Sequence, residues 1–228
     1  MDILLIAGLW LDASVWDDVA QRLRELGDEP VAVPLPGQGA PPDTATLEDQ
    51  HNAVLAAVDA VAGPVMVVGH SAASTLAWMA ADARPDKVAR VVMIGGFPSG
   101  DGEPYAGFLP ATGGPAPFPG WETFEGPDSA DLDEPLREAI AARMIPVPEA
   151  VARAVVRLGD TARYEVPVTL VCPEFSPAQA REWVEAGEAG VEMTRVRRVE
   201  YLDIDSGHWP MFTRPAELAG LLHGLVAP

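Results

Sequence analysis

Basic side chains are scarce in this chain. Fifteen Lys and Arg stand against 34 Asp and Glu, a formal net charge of −19, and Lys87 is the only lysine. Such a surface repels phosphate backbones and anionic lipid, so nucleic acid and membranes are excluded as partners. Cysteine is nearly absent too. Cys172 stands alone, so no internal disulfide can form, and a reducing cytoplasm is the simplest setting. No apolar run approaches the length of a membrane-spanning helix. The first eight residues, Met1 to Gly8, lack a basic leader and read as a buried strand, not a signal peptide. Four scattered histidines and one cysteine offer no metal-ligand spacing. Neither a metal nor an organic cofactor is expected.

What is present is globular. Across 228 residues, 48% are hydrophobic and 21% charged, a composition that supports a packed core. Short apolar runs at 3–6, 30–34, 64–68, 89–95, 166–172 and 199–204 show little alternation. That is how strands buried on both faces of a parallel sheet read. Helical patterns at 14–27, 46–61, 72–83, 178–187 and 215–226 fall between them. The alternation predicts an α/β fold, a mostly parallel, doubly wound sheet of about six strands. Residues 101–135 hold seven Pro and six Gly, so regular structure is unexpected there. Residues 135–158 read as helical again. We therefore divide the chain into a core, 1–98 and 161–228, and an insertion at 99–160 read as a lid or cap.

The chemistry concentrates at two places. The run from Val65 to Ser74 reads as strand, then tight turn at Ser71, then an alanine-rich helix. A serine on a tight strand-to-helix turn is a nucleophile elbow, whose neighbours must be small. Gly69 and Ala73 flank Ser71 at two residues on either side; glycine is usual at the second place, and alanine adds one methyl. The backbone N–H of Ala72, at the helix start, faces a developing oxyanion. A serine here could instead only cap the helix. The second place is Ser206-Gly207-His208-Trp209-Pro210, on the loop after the last strand. From there His208 can reach over the sheet edge, take the Ser71 proton and return it to the leaving group. His51 and His223 fall within helices, and His70 is locked into the elbow.

With these motifs the chain resembles the α/β-hydrolase superfamily. It is similar to the plant methylesterase and hydroxynitrile lyase branch and to bacterial α/β-fold hydrolases. The likeness rests on Val-Val-Gly-His-Ser at 67–71, on Pro85-Asp86-Lys87-Val88-Ala89-Arg90-Val91-Val92, and on the run Ser206 to Leu218. It covers most of the chain outside 101–160. The resemblance implies a catalytic acid after the penultimate strand, where the family usually has aspartate. Glu174 is the carboxylate in reach there; Asp101, after the fourth strand, is the alternative, and Asp205 reads as structural. The resemblance also implies a second oxyanion donor at the backbone N–H of Leu9. Ala7-Gly8 stands where the family commonly has His-Gly. Cyanide-releasing relatives usually need a lysine near the last histidine, and Lys87 is far from it in sequence.

Trp10, Phe97 and Trp209 are expected to line an apolar, substrate-binding pocket. Tyr105, Phe108, Phe118, Trp121 and Phe124 would belong to the lid. These residues support a serine hydrolase that cleaves a small, largely apolar ester, thioester or lactone through an acyl-enzyme on Ser71. A lyase, C–C bond hydrolase or cyclase could use the same serine and histidine. A non-catalytic small-molecule binder would explain Ala7 and Ala73. The expected ligand is neutral or weakly cationic, and a homodimer is compatible with the sequence.

Overall fold

A computed structural model describes residues 1–39, 44–110 and 113–226. Six strands form one sheet: β1 (Asp2–Ile6), β2 (Glu29–Ala32), β3 (Val65–His70), β4 (Val88–Ile94), β5 (Val168–Cys172) and β6 (Val199–Asp203). Their order is β2-β1-β3-β4-β5-β6, and every neighbouring pair is parallel.

The inner apolar runs form strands that are buried on both faces, while the edge strands β2 and β6 are partly exposed. Ile3 and Leu5 of β1, with Met66 and Val68 of β3, pack on one side against Trp16, Val19, Leu23, Leu218 and Leu222. Leu4 and Ile6, with Val65 and Val67, pack on the other against Val54, Val58, Leu76 and Trp78. Each fully buried Val, Leu or Ile contributes about 1.5–3 kcal/mol. Helices α1 (Asp17–Glu25), α2 (Leu47–Ala60) and α3 (Ala73–Ala83) follow the first three strands. Later come α4 (Glu134–Ala141), α5 (Glu149–Ala152), α6 (Pro177–Ala186), α7 (Pro210–Thr213) and α8 (Pro215–Gly224). Thr46 caps α2 and Ser176 caps α6 through reciprocal side-chain bonds, which fixes where those helices begin.

The strand order reverses between β1 and β3, so the chain leaves these two neighbours toward opposite sides. A crevice at the carboxyl ends of the strands results. No helix among the described residues is long and apolar enough to cross a membrane.

The helical reading of 135–158 is corrected. Helix α4 stops at Ala141, and only the short α5 follows. Pro146 and Pro148 lack the amide hydrogens a helix needs. Val147 and Val155 instead make antiparallel bridges to Ala116 and Pro104. The described residues between 101 and 133 are irregular, with 3₁₀ turns at Trp121–Phe124 and Pro127–Ser129.

Candidate active site

The carboxyl ends of β1, β3, β4, β5 and β6 bring distant residues together. Ser71 follows β3 directly, and its φ is +54°. That left-handed conformation is strained for a residue with a side chain. The surroundings hold it: the Ser71 N–H donates to the Ile94 carbonyl at 2.8 Å, and the Ser74 N–H donates to the Ser71 carbonyl at 3.0 Å. A Cβ on Gly69 would overlap the carbonyl of Ala73, so only glycine fits there. Ala73 itself is fully buried and tolerated. Ala72 is the N-cap of α3.

His208 sits on the loop after β6. Its Nδ1 lies 2.7 Å from Glu174 Oε1. A carboxylate accepts, so Nδ1 carries the hydrogen and Nε2 is left as the basic nitrogen. Both side chains are almost buried, which strengthens the pair by excluding water. Glu174 stands two residues after β5 and two before the Ser176 cap of α6, a short loop with little freedom. The second oxygen, Oε2, is buried without a hydrogen-bond partner among the described residues. Asp101 is elsewhere: it accepts a hydrogen bond from the Leu158 N–H at 3.0 Å. Asp205 is exposed.

Gly95 and Gly96 join these pieces. Gly95 has φ +60°, and a Cβ on it would lie 3.1 Å from His208 Nδ1 and 3.2 Å from Glu174 Oε2. A Cβ on Gly96 would stand 2.5 Å from the Ser71 carbonyl oxygen. Side chains at either place would press on Ser71 or on the His208–Glu174 pair. The β1 loop comes equally close, since a Cβ on Gly8 would lie 3.2 Å from Ser71 Cβ. Leu9 follows it. Among the described residues neither the Leu9 nor the Ala72 amide N–H has an acceptor. Two unpartnered main-chain donors beside a nucleophile can hold an oxyanion.

A cavity of about 560 Å³ opens over Ser71. Ser71, Ala72, Thr75, Gly96 and Phe97 line it from the core, and Pro104, Tyr105 and Phe108 from the 99–160 segment. Glu103 and Glu188 stand at it, and no Lys or Arg lines it. Of the three aromatics expected in the wall, Phe97 is there and Trp10 and Trp209 are not. Trp10 is 7% exposed; its Nε1 donates to the Ala116 carbonyl at 3.2 Å, and its ring meets Phe118 and Phe124 edge-on. Trp209 is 3% exposed and packs on Trp121, Phe124 and the His208 ring. Both rings join the 99–160 segment to the core and leave the cavity to others.

Sequence reading missed the support that this segment gives to His208. The His208 N–H donates to the Asp128 carbonyl at 2.7 Å. Gly207 must be glycine because a Cβ would overlap that carbonyl and Asp131 Oδ1. Burial and the nearby Glu174 charge push the Asp128 carboxyl above its ordinary range, partly offset by His208. The glycine pair at 95–96 was a usable signal; a backbone carbonyl offers none. Among the described residues no cluster of His, Cys, Asp and Glu is assembled to hold a metal ion.

A strained serine, an acid-paired imidazole and two amides without acceptors among the described residues thus meet at the switch point of a parallel sheet. The chain belongs to the alpha/beta hydrolase family, whose model matches residues 3–221. It is 38% identical over 96 residues to the lipase LipV of Mycobacterium tuberculosis, a match covering 40% of this chain and 36% of that protein. The fold is shared with an extracellular alpha/beta-hydrolase from a Paenibacillus species, at a TM-score of 0.80, 20% identity and 97% coverage of both chains. It is shared also with the methylesterase MES16 from Arabidopsis, at 0.76, 16% identity and coverage of 99% and 98%. For polyneuridine aldehyde esterase the TM-score is 0.73, with 17% identity over 99% of each chain.

Proposed function

We propose that the protein is a serine hydrolase of small, largely apolar esters, thioesters or lactones. Ser71 Oγ attacks the carbonyl carbon, and His208 Nε2 takes its proton. Glu174 holds the imidazole in the required tautomer and stabilises the imidazolium. The Leu9 and Ala72 N–H groups receive the oxyanion. His208 returns the proton to the leaving alcohol or thiol, and water then repeats the sequence on the acyl-enzyme. The observation that carries this reading is Ser71, held at φ +54° and lining a cavity of about 560 Å³.

The cavity supports a neutral or weakly cationic substrate. Its walls are mainly apolar, its charged neighbours are Glu103 and Glu188, and the chain carries −19 overall. Residues 99–160 act as the cap, since Pro104, Tyr105 and Phe108 wall the cavity from that segment. We assign the protein to the cytoplasm, where its lone, buried thiol stays reduced.

The test is a panel of p-nitrophenyl esters of rising acyl length, with wild type and Ser71→Ala. Turnover should peak at short to medium chains, and the variant should lose it by at least about 10³-fold. Equal rates for the two proteins overturn the reading.

A further inference from the structure

His70 does more than complete the elbow. It is the last residue of β3, next to Ser71, and is 1% exposed. Its Nε2 lies 2.8 Å from the carbonyl oxygen of His208, 138 positions along the chain. A carbonyl only accepts, so Nε2 carries the hydrogen and Nδ1 is a bare lone pair. Nδ1 is buried without a partner among the described residues. It lies 2.8 Å from where a Cβ on Gly8 would stand. Burial, then the neighbouring His208, lowers its pKa to about 3. The ring is therefore neutral wherever His208 works as a base.

His208 is held at three points. Glu174 holds the ring at Nδ1, Asp128 holds the main-chain N–H, and His70 holds the main-chain carbonyl. The first fixes the ring's tautomer. The other two fix where the Cα stands, and so where Nε2 points. His70 is the member of this set that is covalently joined to the nucleophile, which sets base and serine in one frame. Its other edge lies against Gly8, whose loop carries the Leu9 donor.

We propose that His70 is a positioning residue: its Nε2–H tethers the His208 main chain to the nucleophile strand, and its Nδ1 edge seats the Gly8–Leu9 loop. The proposal rests on the acyl-transfer reading for its kinetic consequence, and on the hydrogen bond alone for its structural one. Displacing a reacting group by about 1 Å can cost about 100-fold in rate.

Three substitutions separate donor placement from simple packing. In His70→Gln the amide nitrogen falls near the position of Nε2. In His70→Asn it falls near Nδ1, and His70→Leu has no donor. With p-nitrophenyl acetate, Asn and Leu should lower kcat about 30- to 100-fold with KM within threefold. Gln should stay within about fivefold of wild type. A structural role alone would rank the variants by thermal midpoint instead. Gln as slow as Leu, or a folded Leu variant within threefold of wild type, overturns the proposal.

A second measurement needs no turnover. Hydrogen exchange of the His208 Nδ1–H, read by ¹⁵N NMR, should quicken at least tenfold in His70→Leu and stay near wild type in His70→Gln. Unchanged exchange in His70→Leu overturns the tether. A wild-type protein that cleaves no ester overturns the acyl-transfer reading instead, and the exchange rates still decide on His70.

Discussion

Ser71 and Glu174 stand on the ends of sheet strands, while His208 stands between the sheet and the 99–160 segment. The first two owe their places to β3 and β5, whose apolar runs are buried on both faces. His208 owes its place to the Asp128 carbonyl, the fit of Gly207 under it, and the His70 side chain. A sheet-borne group is fixed by the summed packing of a core. His208 is fixed by a few hydrogen bonds and one glycine. If it is the base, small changes there should have the largest effect on chemistry relative to their effect on stability.

Loss of the acid on the sheet side sets the scale. Glu174→Gln should lower kcat by about 10³- to 10⁴-fold, since an amide favours the wrong tautomer of His208. Asp101→Asn should stay within threefold, because Asp101 serves the Leu158 amide. A threefold loss at Glu174, or a large one at Asp101, would reverse the assignment.

The segment's exit is fastened by charge. Arg163 donates to Glu192 at 2.9 Å and to Asp82 at 3.0 Å, and Asp82 also accepts from the Gly159 and Asp160 amides. Arg163→Met would leave the buried Glu192 carboxylate without its cation, with the Trp78 and Tyr164 hydrogen bonds remaining. We expect about 3–5 kcal/mol lost in urea unfolding. A loss below about 1 kcal/mol would show that the latch carries little. Gly207→Ala should cost less, about 1–3 kcal/mol, yet lower kcat by more than tenfold by moving His208. If kcat instead falls only as the folded fraction falls, the base is not poised as described.

Acid should act through His70. Its folded pKa of about 3 lies below the ordinary value of 6.5. Between those values the unfolded chain binds a proton that the folded one refuses, so stability falls as pH drops through that window. His51, lowered chiefly by burial, adds in the same direction, whereas Asp128, raised chiefly by burial, opposes it. The loss should be on the order of a few kcal/mol, and His70→Gln should flatten the slope between pH 6 and 4. An unchanged slope would place the acid sensitivity elsewhere. The smallest effect concerns Cys172, whose thiol is buried and pushed up to about 12, first by burial and then by Asp203 and Glu174. Iodoacetamide at neutral pH should leave it unmodified in the folded protein over hours; fast alkylation would reveal an opening of the sheet end.

The same contrast explains what could be read from sequence. All six strands were legible within two residues: the inner strands because burial on both faces leaves a continuous apolar run, the half-exposed edge strands β2 and β6 from shorter apolar signals. The tight turn at Ser71 was legible because a strand, a small flank and a helix follow one another in sequence. The 135–158 stretch was misread because its apolar spacing mimics a helix, while Val147 and Val155 pair with residues about 30 and 50 positions earlier. Trp10 and Trp209 lie away from the cavity over Ser71, because an aromatic near a sheet edge can face either a cavity or the segment covering it. The Asp128 carbonyl left no trace, since every residue has one.

The central claim is that Ser71 is a nucleophile activated by His208. Incubation with a fluorophosphonate followed by peptide mapping tests it most directly. The account predicts one phosphonyl group on Ser71, formed within minutes, and slowed at least about 10³-fold in His208→Ala. No modification of Ser71 at saturating reagent, or an equal rate in the histidine variant, would contradict it.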